Sequence, residues 1–331
     1  MSRNVRRAGA RLAACALGAA SVAPSTLGAT HSGVFATRAP ASSCVVTPSP
    51  GPRRVVITSR PIRRGVAVIA PVCIAGAGPF PFLVDSGSSV SLVTPTLARR
   101  FALRRVGATE QAAGVACTAA VTPVRVGHWS LGAVRLSAQR VLEAALPRIG
   151  GRRVDGLIGS DVLSRFGAIR IDAAARLLAL AGPERAPGAA GPVVLPTAWT
   201  GGARLRARLQ VQREAGAVIA TTPVTFGRVT ADLVVDTGAV MSAVSPALAR
   251  AAHLAPTGGH AVLAAFGCAA HVGEVRSGRW QLGGREIPAQ DLAQLPSHGL
   301  RVAGLLGSDV LLRRRAAVLD YAGHVLVLSG A

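Results

Sequence analysis

The sequence predicts an all-β fold made of two similar halves. One observation is an internal duplication, in which an apolar run ends in an acid on a small-residue turn at residues 82–89 and again at residues 233–239. Another is that short runs rich in Val and Ile alternate with Gly and Pro from residue 55 onward, which is typical of strands and turns. At 331 residues the chain is also long enough for two domains that each bury a core.

The two halves follow one plan over most of their length. The acids of the two turns, Asp85 and Asp236, are 151 residues apart. Each turn is followed, 71 and 68 residues later, by a Gly-apolar-apolar-Gly-Ser-Asp block that begins at Gly156 or Gly304. We therefore interpret the chain as a tandem duplication.

The amino terminus has the pattern of a secretory signal. Four Arg residues precede a short apolar run at residues 12–23, and a small-residue cleavage site follows it. We predict a signal peptide at residues 1–29, an exported protein (periplasmic or secreted), and no membrane-spanning segment in the mature chain. Residues 30–54 are rich in Pro, Ser and Thr without periodicity, which predicts a disordered leader or linker.

The remaining boundaries follow from composition and from the repeat. We expect a first lobe at residues 55–182, an interdomain linker at residues 183–202, where Gly and Pro are dense, and a second lobe at residues 203–331. Short helices that begin at a Pro are expected after the acid turns, at residues 95–101 and 246–252. Each half ends in a strand-turn-strand pattern.

Composition excludes several classes of function. The net charge is +22 and all 37 basic residues are Arg, but they are scattered and only 3% of residues are aromatic, so we predict a solvated basic surface and no nucleic-acid partner. The absence of Lys excludes phosphate-loop, Schiff-base and Ser-x-x-Lys chemistry. The seven His residues lack metal-ligand spacing, so neither a metal nor a cofactor is expected.

Asp85 and Asp236 are the candidate catalytic residues. Either turn alone is an ordinary turn tripeptide, but the duplication favours a pseudo-twofold axis that brings both acids into one site. Two carboxylates about 3 Å apart cannot both ionise, so the pair holds one proton, and one acid can act as base while the other acts as acid. A water molecule between them is then deprotonated as it attacks a carbonyl.

Four residues of the turns are expected to support the acids. Gly87 and Gly238 allow the backbone to pack tightly behind the carboxyl groups. Ser86 and Thr237 place a hydroxyl beside each acid, where it can tie one turn to the other.

The next position differs between the turns, with Ser88 in the first and Ala239 in the second. A hydroxyl can donate a hydrogen bond to the neighbouring carboxylate, whereas a methyl group cannot. We therefore expect Asp85 to carry the negative charge more often and Asp236 the proton.

These motifs resemble those of retropepsin-like aspartic proteases, the bacterial relatives of retroviral proteases, with two such lobes in one chain. In that family an Asp-Thr/Ser-Gly-Ala/Ser turn carries the acid, as at residues 85–88 and 236–239. An apolar-apolar-Gly segment threads behind the turn and opens a short helix, as at residues 157–159 and 305–307. The resemblance implies two closed β-barrel-like lobes, an interlobe active site and hydrolysis of peptide bonds.

The resemblance also implies a flap in each lobe, a hairpin that closes over the substrate. The candidate hairpins are residues 112–118 and 264–270, and the flap candidates within them are Gly114, Val115, Phe266 and Gly267. The chain departs from the viral pattern at Ser160 and Ser308, where viral members carry an Arg. Pepsin-like enzymes are also bilobal within one chain but place a Tyr on one flap, whereas the one Tyr of this sequence, Tyr321, lies far beyond either flap.

The cysteines leave two interpretations open. Cys117 and Cys268 occupy equivalent flap positions, and in an exported protein they can form a disulfide between the lobes. We favour the alternative, in which they are two small apolar side chains under the flaps. Cys44 and Cys73 offer another pairing, and Cys15 is expected to leave with the signal peptide.

The leading hypothesis is an aspartic endopeptidase that acts on polypeptides and is competent as a monomer, because one chain supplies both acids. The alternative is a non-catalytic peptide-binding protein that uses the same cleft. A third hypothesis is a basic protein that binds anionic polymers. The retention of both acids favours the enzyme.

Overall fold

The computed structural model describes residues 43–51, 53–185, 194–200, 202–297, 302–313 and 316–329. Most of these residues are in strands, which form two similar sheet domains and a third sheet with strands from both halves. The all-β prediction is therefore confirmed. The predicted signal peptide, residues 1–29, lies outside the described residues.

The first domain is built on an 11-stranded sheet. The strands of the first half are β1 (Arg54–Val56), β2 (Thr58–Ile62), β3 (Gly65–Ile74), β4 (Ala77–Val84), β5 (Leu92–Val93), β6 (Arg104–Arg105), β7 (Glu110–Ala113), β8 (Thr118–Val126), β9 (Trp129–Leu131), β10 (Val134–Leu136), β11 (Gln139–Glu143), β12 (Gly156–Ile158), β13 (Ala168–Asp172) and β14 (Leu177–Leu180). The sheet has the order β10-β9-β3-β4-β12-β5-β11-β8-β6, and β2 pairs with β3 and β7 with β8.

The second domain repeats this arrangement with a 10-stranded sheet. The strands of the second half are β15 (Ala203–Arg208), β16 (Gln210–Glu214), β17 (Ala217–Phe226), β18 (Val229–Val235), β19 (Ala243–Val244), β20 (Ala255–Ala265), β21 (Cys268–Arg276), β22 (Trp280–Leu282), β23 (Arg285–Ile287), β24 (Asp291–Gln294), β25 (Gly304–Leu306), β26 (Ala316–Asp320) and β27 (Val325–Ser329). The sheet has the order β20-β21-β24-β19-β25-β18-β17-β22-β23, with β16 on β17.

Closed barrel-like lobes were expected, but no closed barrel is detected among the described strands. In each domain the pairing follows an open order, whose two outermost strands do not pair with each other. The outermost strands of the first domain, β10 and β6, have only three and two residues. Such short edge strands offer few backbone groups for further pairing.

The helices in the described residues are short. They are α1 (Pro95–Arg100), α2 (Ser160–Leu163), α3 (Thr197–Thr200), α4 (Pro246–Ala251) and α5 (Ser308–Leu311), with a 3-10 turn at Ser164–Phe166. All but one of these helices lie where the repeat predicts them; the exception is α3, which lies in the segment predicted as interdomain linker. The hydroxyls of Thr94 and Ser245 cap α1 and α4 by accepting from backbone N–H groups of the first turn. No helix in the described part of the chain has the length and apolar character needed to cross a membrane.

The third sheet joins the two halves and has the order β1-β14-β13-β26-β27-β15. Its two central strands, one from each half, pair antiparallel with Arg170 opposite Val318. These two residues are 148 residues apart, so each faces its own equivalent in the repeat. Trp199 of α3, in the segment predicted as linker, is buried in an apolar cluster with Ala168 and Val327 of this sheet.

A large apolar core extends through both domains and the third sheet. Two equivalent rings in it, Trp129 and Trp280, are buried, and each donates its indole N–H to a backbone carbonyl eight residues further along the chain. The repeat therefore includes packing and hydrogen bonding in addition to motifs.

Part of the predicted leader, residues 30–54, is attached to the first domain. Cys44 forms a disulfide with Cys73 of β3, and its N–H donates to the carbonyl of Gly76 at 2.8 Å. Ser43 forms an isolated bridge with Ala77. The prediction of a disordered leader or linker at residues 30–54 therefore does not hold for Ser43 and Cys44.

Candidate active site

The acid turns lie where strands β4 and β18 end. In the first domain β12 runs parallel to β4, and the Ile158 carbonyl accepts from the N–H of Asp85 at 3.0 Å. In the second domain the Leu306 carbonyl accepts from the N–H of Asp236 at 2.9 Å. The chain after β12 crosses directly behind the turn, where a Cβ atom on Gly159 would lie 2.9 Å from a turn carbonyl oxygen. A glycine is needed at this crossing.

One carboxyl oxygen of each acid is fixed by its own turn. Asp85 Oδ1 accepts hydrogen bonds from the N–H groups of Gly87 and Ser88, each at 3.0 Å. Asp236 Oδ1 accepts from the two equivalent N–H groups of its turn, each at 2.9 Å. These bonds orient the carboxyl groups and favour their charged form.

The side chains that follow the acids connect the two turns. The N–H of Ser86 donates to Thr237 Oγ1 at 3.0 Å, and the N–H of Thr237 donates to Ser86 Oγ at 3.1 Å. Ser86 Oγ donates in turn to the Val235 carbonyl at 2.7 Å, and Thr237 Oγ1 to the Val84 carbonyl at 2.9 Å. Each buried hydroxyl therefore accepts and donates across the junction of the domains.

The two acids lie beside each other at this junction, and both are fully buried. A Cβ atom on Gly87 would overlap the carboxyl group of Asp236. A Cβ atom on Gly238 would lie 2.5 Å from Cγ of Asp85. Glycine at both positions is therefore a condition for the close approach of each turn to the opposite acid.

Burial is the largest cause that raises the pKa of Asp236 well above its usual value. The charge of Asp85, and a hydrogen bond between the two carboxyl groups, raise this pKa further, while the backbone N–H donors oppose the rise. Asp236 Oδ2 is buried, and apart from the opposite carboxyl group no donor among the described residues reaches it. A proton held by the pair itself would satisfy this oxygen.

The hydroxyl of Ser88 does not reach the carboxyl group. Ser88 Oγ donates to the carbonyl of Val90 at 2.7 Å, because the turn brings that oxygen within reach two residues later. The expected hydrogen bond from this hydroxyl to the Asp85 carboxylate is therefore wrong. Ser88 contacts that carboxylate through its backbone N–H, a group that Ala239 supplies equally to Asp236.

A buried acid behind each turn was not singled out from the sequence. Asp161 accepts from Ser91 Oγ at 2.7 Å and from Gln139 Nε2 at 3.0 Å, and Ser91 Oγ accepts from the N–H of Gly159 at 2.9 Å. The second domain repeats this network with Asp309, Ser242, Gln290 and Gly307. Burial raises the pKa of both acids, against the hydroxyl bonds. The sequence feature that could have identified these two acids is the Asp that ends each Gly-apolar-apolar-Gly-Ser-Asp block.

Tyr321 supports the acid turn of the opposite half. Ser160 Oγ donates to the Ser86 carbonyl at 2.7 Å and lies 3.0 Å from the Tyr321 hydroxyl, which must be the donor because the Ser160 proton is already used. Burial raises the pKa of Tyr321, so the hydroxyl keeps its proton. In the second half Ser308 Oγ instead accepts from the N–H of Val66 at 3.0 Å. These contacts could not be predicted from the sequence, because residues from different halves that touch share no local motif.

Two hairpins, β7–β8 and β20–β21, carry the flap candidates. Val115 at the tip of the first is 2% exposed, and Phe266 at the tip of the second is fully buried. Gly114 lies in the first tip, where its N–H donates to the Cys117 carbonyl at 2.7 Å. Gly267 lies in the second tip and donates its N–H to a carbonyl of the first domain, that of Ala145, at 2.9 Å.

The two hairpin tips are joined by a disulfide between Cys117 and Cys268, whose Cα atoms are 6.4 Å apart. The favoured interpretation, two unbridged apolar side chains, is therefore wrong. The sequence established that the two positions are equivalent, but the distance between them depends on how the hairpins meet over the junction of the domains.

Charged side chains from both domains meet in ion pairs near the domain junction. Arg276 and Arg64 both bind Asp291, at 2.8 and 2.7 Å, and these hydrogen bonds hold the pKa of Asp291 below its usual range. Within the described ranges, no group of three or more His, Cys, Asp or Glu side chains could hold a metal ion.

Duplicated β domains with paired acid turns define a protein of the retropepsin-like class. The family model for aspartyl proteases matches the chain twice, at residues 70–162 and 222–310. The two matches span more than half of the chain, which therefore belongs to the aspartyl protease family. No curated protein matches it.

Proposed function

We propose that the protein is an aspartic endopeptidase in which Asp85 and Asp236 together activate a water molecule for hydrolysis of peptide bonds. The observation that carries this proposal is the junction of the acid turns, where reciprocal hydrogen bonds of Ser86 and Thr237 hold two buried carboxyl groups beside each other. Membership of the aspartyl protease family supports the peptidase activity.

In the proposed reaction Asp236 carries the proton of the pair and Asp85 is ionised. Asp85 accepts a proton from the water molecule as the water oxygen attacks the peptide carbonyl carbon. The proton of Asp236 moves to the carbonyl oxygen, so the intermediate forms without a buried oxyanion. The proton taken by Asp85 then passes to the leaving nitrogen as the C–N bond breaks, and Asp236 recovers its proton from the collapsing intermediate.

The proton is assigned to Asp236 because its pKa is raised and because its Oδ2 has no other donor among the described residues. The measured constants will belong to the coupled pair rather than to either acid alone. The difference between Ser88 and Ala239 no longer supports the assignment.

A pseudo-twofold axis that relates two lobes of one chain is part of the proposal. It is supported by the pairing of Arg170 with its equivalent Val318 and by the reciprocal bonds at the turns. Since a single chain provides both acids, the active species is a monomer.

We also propose that the protein is exported. Two disulfides, Cys44–Cys73 and Cys117–Cys268, support this proposal, because such bonds persist mainly in oxidising compartments.

Incubation of the full chain with an unstructured polypeptide between about pH 3 and pH 7 tests the function, since carboxyl pairs titrate in or near this range. Oxidised and reduced protein are compared, each with and without pepstatin. Cleavage that pepstatin blocks is the expected result. Binding of pepstatin without cleavage by any form would support the peptide-binding alternative instead.

A further inference from the structure

The two flap hairpins are covalently connected above the acids. Cys117 lies in the tip of the hairpin of the first domain, and Cys268 begins the outgoing strand of the hairpin of the second. Their disulfide therefore joins the domains at the hairpin tips, while Ser86 and Thr237 join them at the acid turns. Together these two connections close a ring around the space beside the carboxyl groups.

The hairpin tips fill the space where a polypeptide would have to lie. Phe266 belongs to one buried apolar cluster with Leu83 and Leu157 of the first domain, and these two residues lie on the neighbouring strands that lead to Asp85 and Gly159. Val115 belongs to another cluster, with Ala239 of the second domain. Each tip thus packs against the opposite domain.

The acids themselves are fully buried, so no substrate reaches them until the tips move. The non-covalent contacts of the tips include the hydrogen bond from Gly267 to Ala145 and the packing of Gly114 near Ala265 and Phe266. Contacts of this kind break and re-form as a hairpin opens, typically in microseconds to milliseconds. The disulfide does not, so the tips can lift only as a connected pair.

We propose that the Cys117–Cys268 disulfide is a reducible latch: while it is intact, a polypeptide can enter the ring only end first, and reduction opens the cleft from the side. A dithiol reductant attacks one sulfur, displaces the other as a thiol, and then forms its own disulfide while both cysteines become thiols. The consequence for cleavage rests on the proposed endopeptidase function, but the mechanical role of the latch does not.

The other disulfide provides a matched control. Cys44–Cys73 connects the segment before β1 to β3 within the first domain and does not bridge the two domains. The double variant Cys44→Ala/Cys73→Ala therefore has the same number of disulfides as Cys117→Ala/Cys268→Ala, but keeps the ring closed.

The first experiment uses a substrate that cannot enter end first, an unstructured segment placed between two stable folded domains. Oxidised wild-type protein and oxidised Cys44→Ala/Cys73→Ala are expected to cut it slowly. Reduction is expected to raise kcat/KM by about tenfold or more, because the apparent affinity scales with the fraction of protein that is open to binding. Cys117→Ala/Cys268→Ala, or Cys268→Ala alone if the double variant misfolds, should show the higher rate without reductant.

Equal rates of cleavage of this substrate by oxidised and reduced wild-type protein would overturn the latch while leaving the endopeptidase function in place. Amide hydrogen exchange of residues 110–126 and 255–276 gives a second reading that does not depend on activity. Exchange there should be faster in Cys117→Ala/Cys268→Ala than in Cys44→Ala/Cys73→Ala, and equal exchange would also reject the latch. If neither the oxidised nor the reduced protein, nor any variant, cleaves a substrate, the proposed function is wrong. The exchange result still shows whether the disulfide restrains the hairpins.

Discussion

Thr237 and Ser86 each donate a backbone N–H to the side-chain oxygen of the other, at 3.1 and 3.0 Å. The residues immediately after the two acids thus connect the two turns that carry the acids. Because both hydroxyls are fully buried, a change at either position acts on both turns at once.

Thr237→Val tests this relationship, since it keeps the side-chain shape and removes the hydroxyl. The N–H of Ser86 and the carbonyl of Val84 would lose their partners, so the free energy of unfolding should fall by about 1–3 kcal/mol. The turnover rate should fall as well. Denaturant unfolding and peptide hydrolysis measure the two effects.

The control for Thr237→Val is Thr225→Val, which removes a hydroxyl from an exposed hydrogen bond with Thr230 in the same domain. Thr237→Ser should restore most of the lost stability and turnover. Wild-type behaviour of Thr237→Val would show that the reciprocal bonds do not hold the acids in place.

The raised pKa of Asp236 predicts how the free energy of unfolding depends on pH. An acid whose pKa is higher in the folded than in the unfolded state favours folding when protonated. That contribution is present below the unfolded pKa and is lost as the pH rises through the folded value. Wild-type protein should therefore lose stability relative to Asp236→Asn as the pH rises, and kcat/KM should fall on the alkaline side.

Denaturant unfolding of wild-type protein and Asp236→Asn at a series of pH values measures this difference directly. A stability difference that does not change with pH would contradict a raised pKa at Asp236.

Ser88→Ala and Ala239→Ser should leave both limbs of the pH profile of kcat/KM in place. The reason is that Ser88 Oγ donates to the Val90 carbonyl and the Asp85 carboxylate receives the backbone N–H, which both variants retain. Ser88→Ala should cost about 1 kcal/mol of stability for the lost hydrogen bond. An acidic limb that moves upward in Ser88→Ala would show that the hydroxyl does reach the acid.

Tyr321→Phe should lower kcat more than it changes KM while the protein remains folded, because Tyr321 positions the turn of Asp85 through Ser160 without reaching the substrate. A double-mutant cycle with Ser160→Ala should give effects on kcat that are not additive, since both residues belong to one hydrogen-bond chain. Additive effects would indicate that the two residues act independently.

The sequence predicted what is encoded locally or repeated. The acid turns, the helix starts at Pro95 and Pro246 and the distal helices follow from short motifs, and the duplication placed them in both halves. Contacts between segments that are far apart in the chain could not be predicted from the sequence. The Cys117–Cys268 disulfide depends on where two hairpins meet, and the Tyr321–Ser160 contact joins residues 161 positions apart.

The direction in which the Ser88 side chain points could not be predicted from the sequence either. Its hydroxyl has two possible acceptors nearby, the Asp85 carboxylate and the Val90 carbonyl. The conformation of the turn directs it to the Val90 carbonyl. The closed barrel was expected from the family resemblance, whereas strand pairing along each domain follows an open order in the described residues.

Hydrolysis of an unstructured polypeptide by Asp85→Asn and by Asp236→Asn, each reduced and each shown to unfold as cooperatively as wild-type protein, tests the central claim most directly. Each variant alone should lose about a thousandfold or more of the turnover rate, because each acid has a different role in one proton transfer sequence. Turnover near the wild-type rate in either single variant would contradict a shared pair of acids.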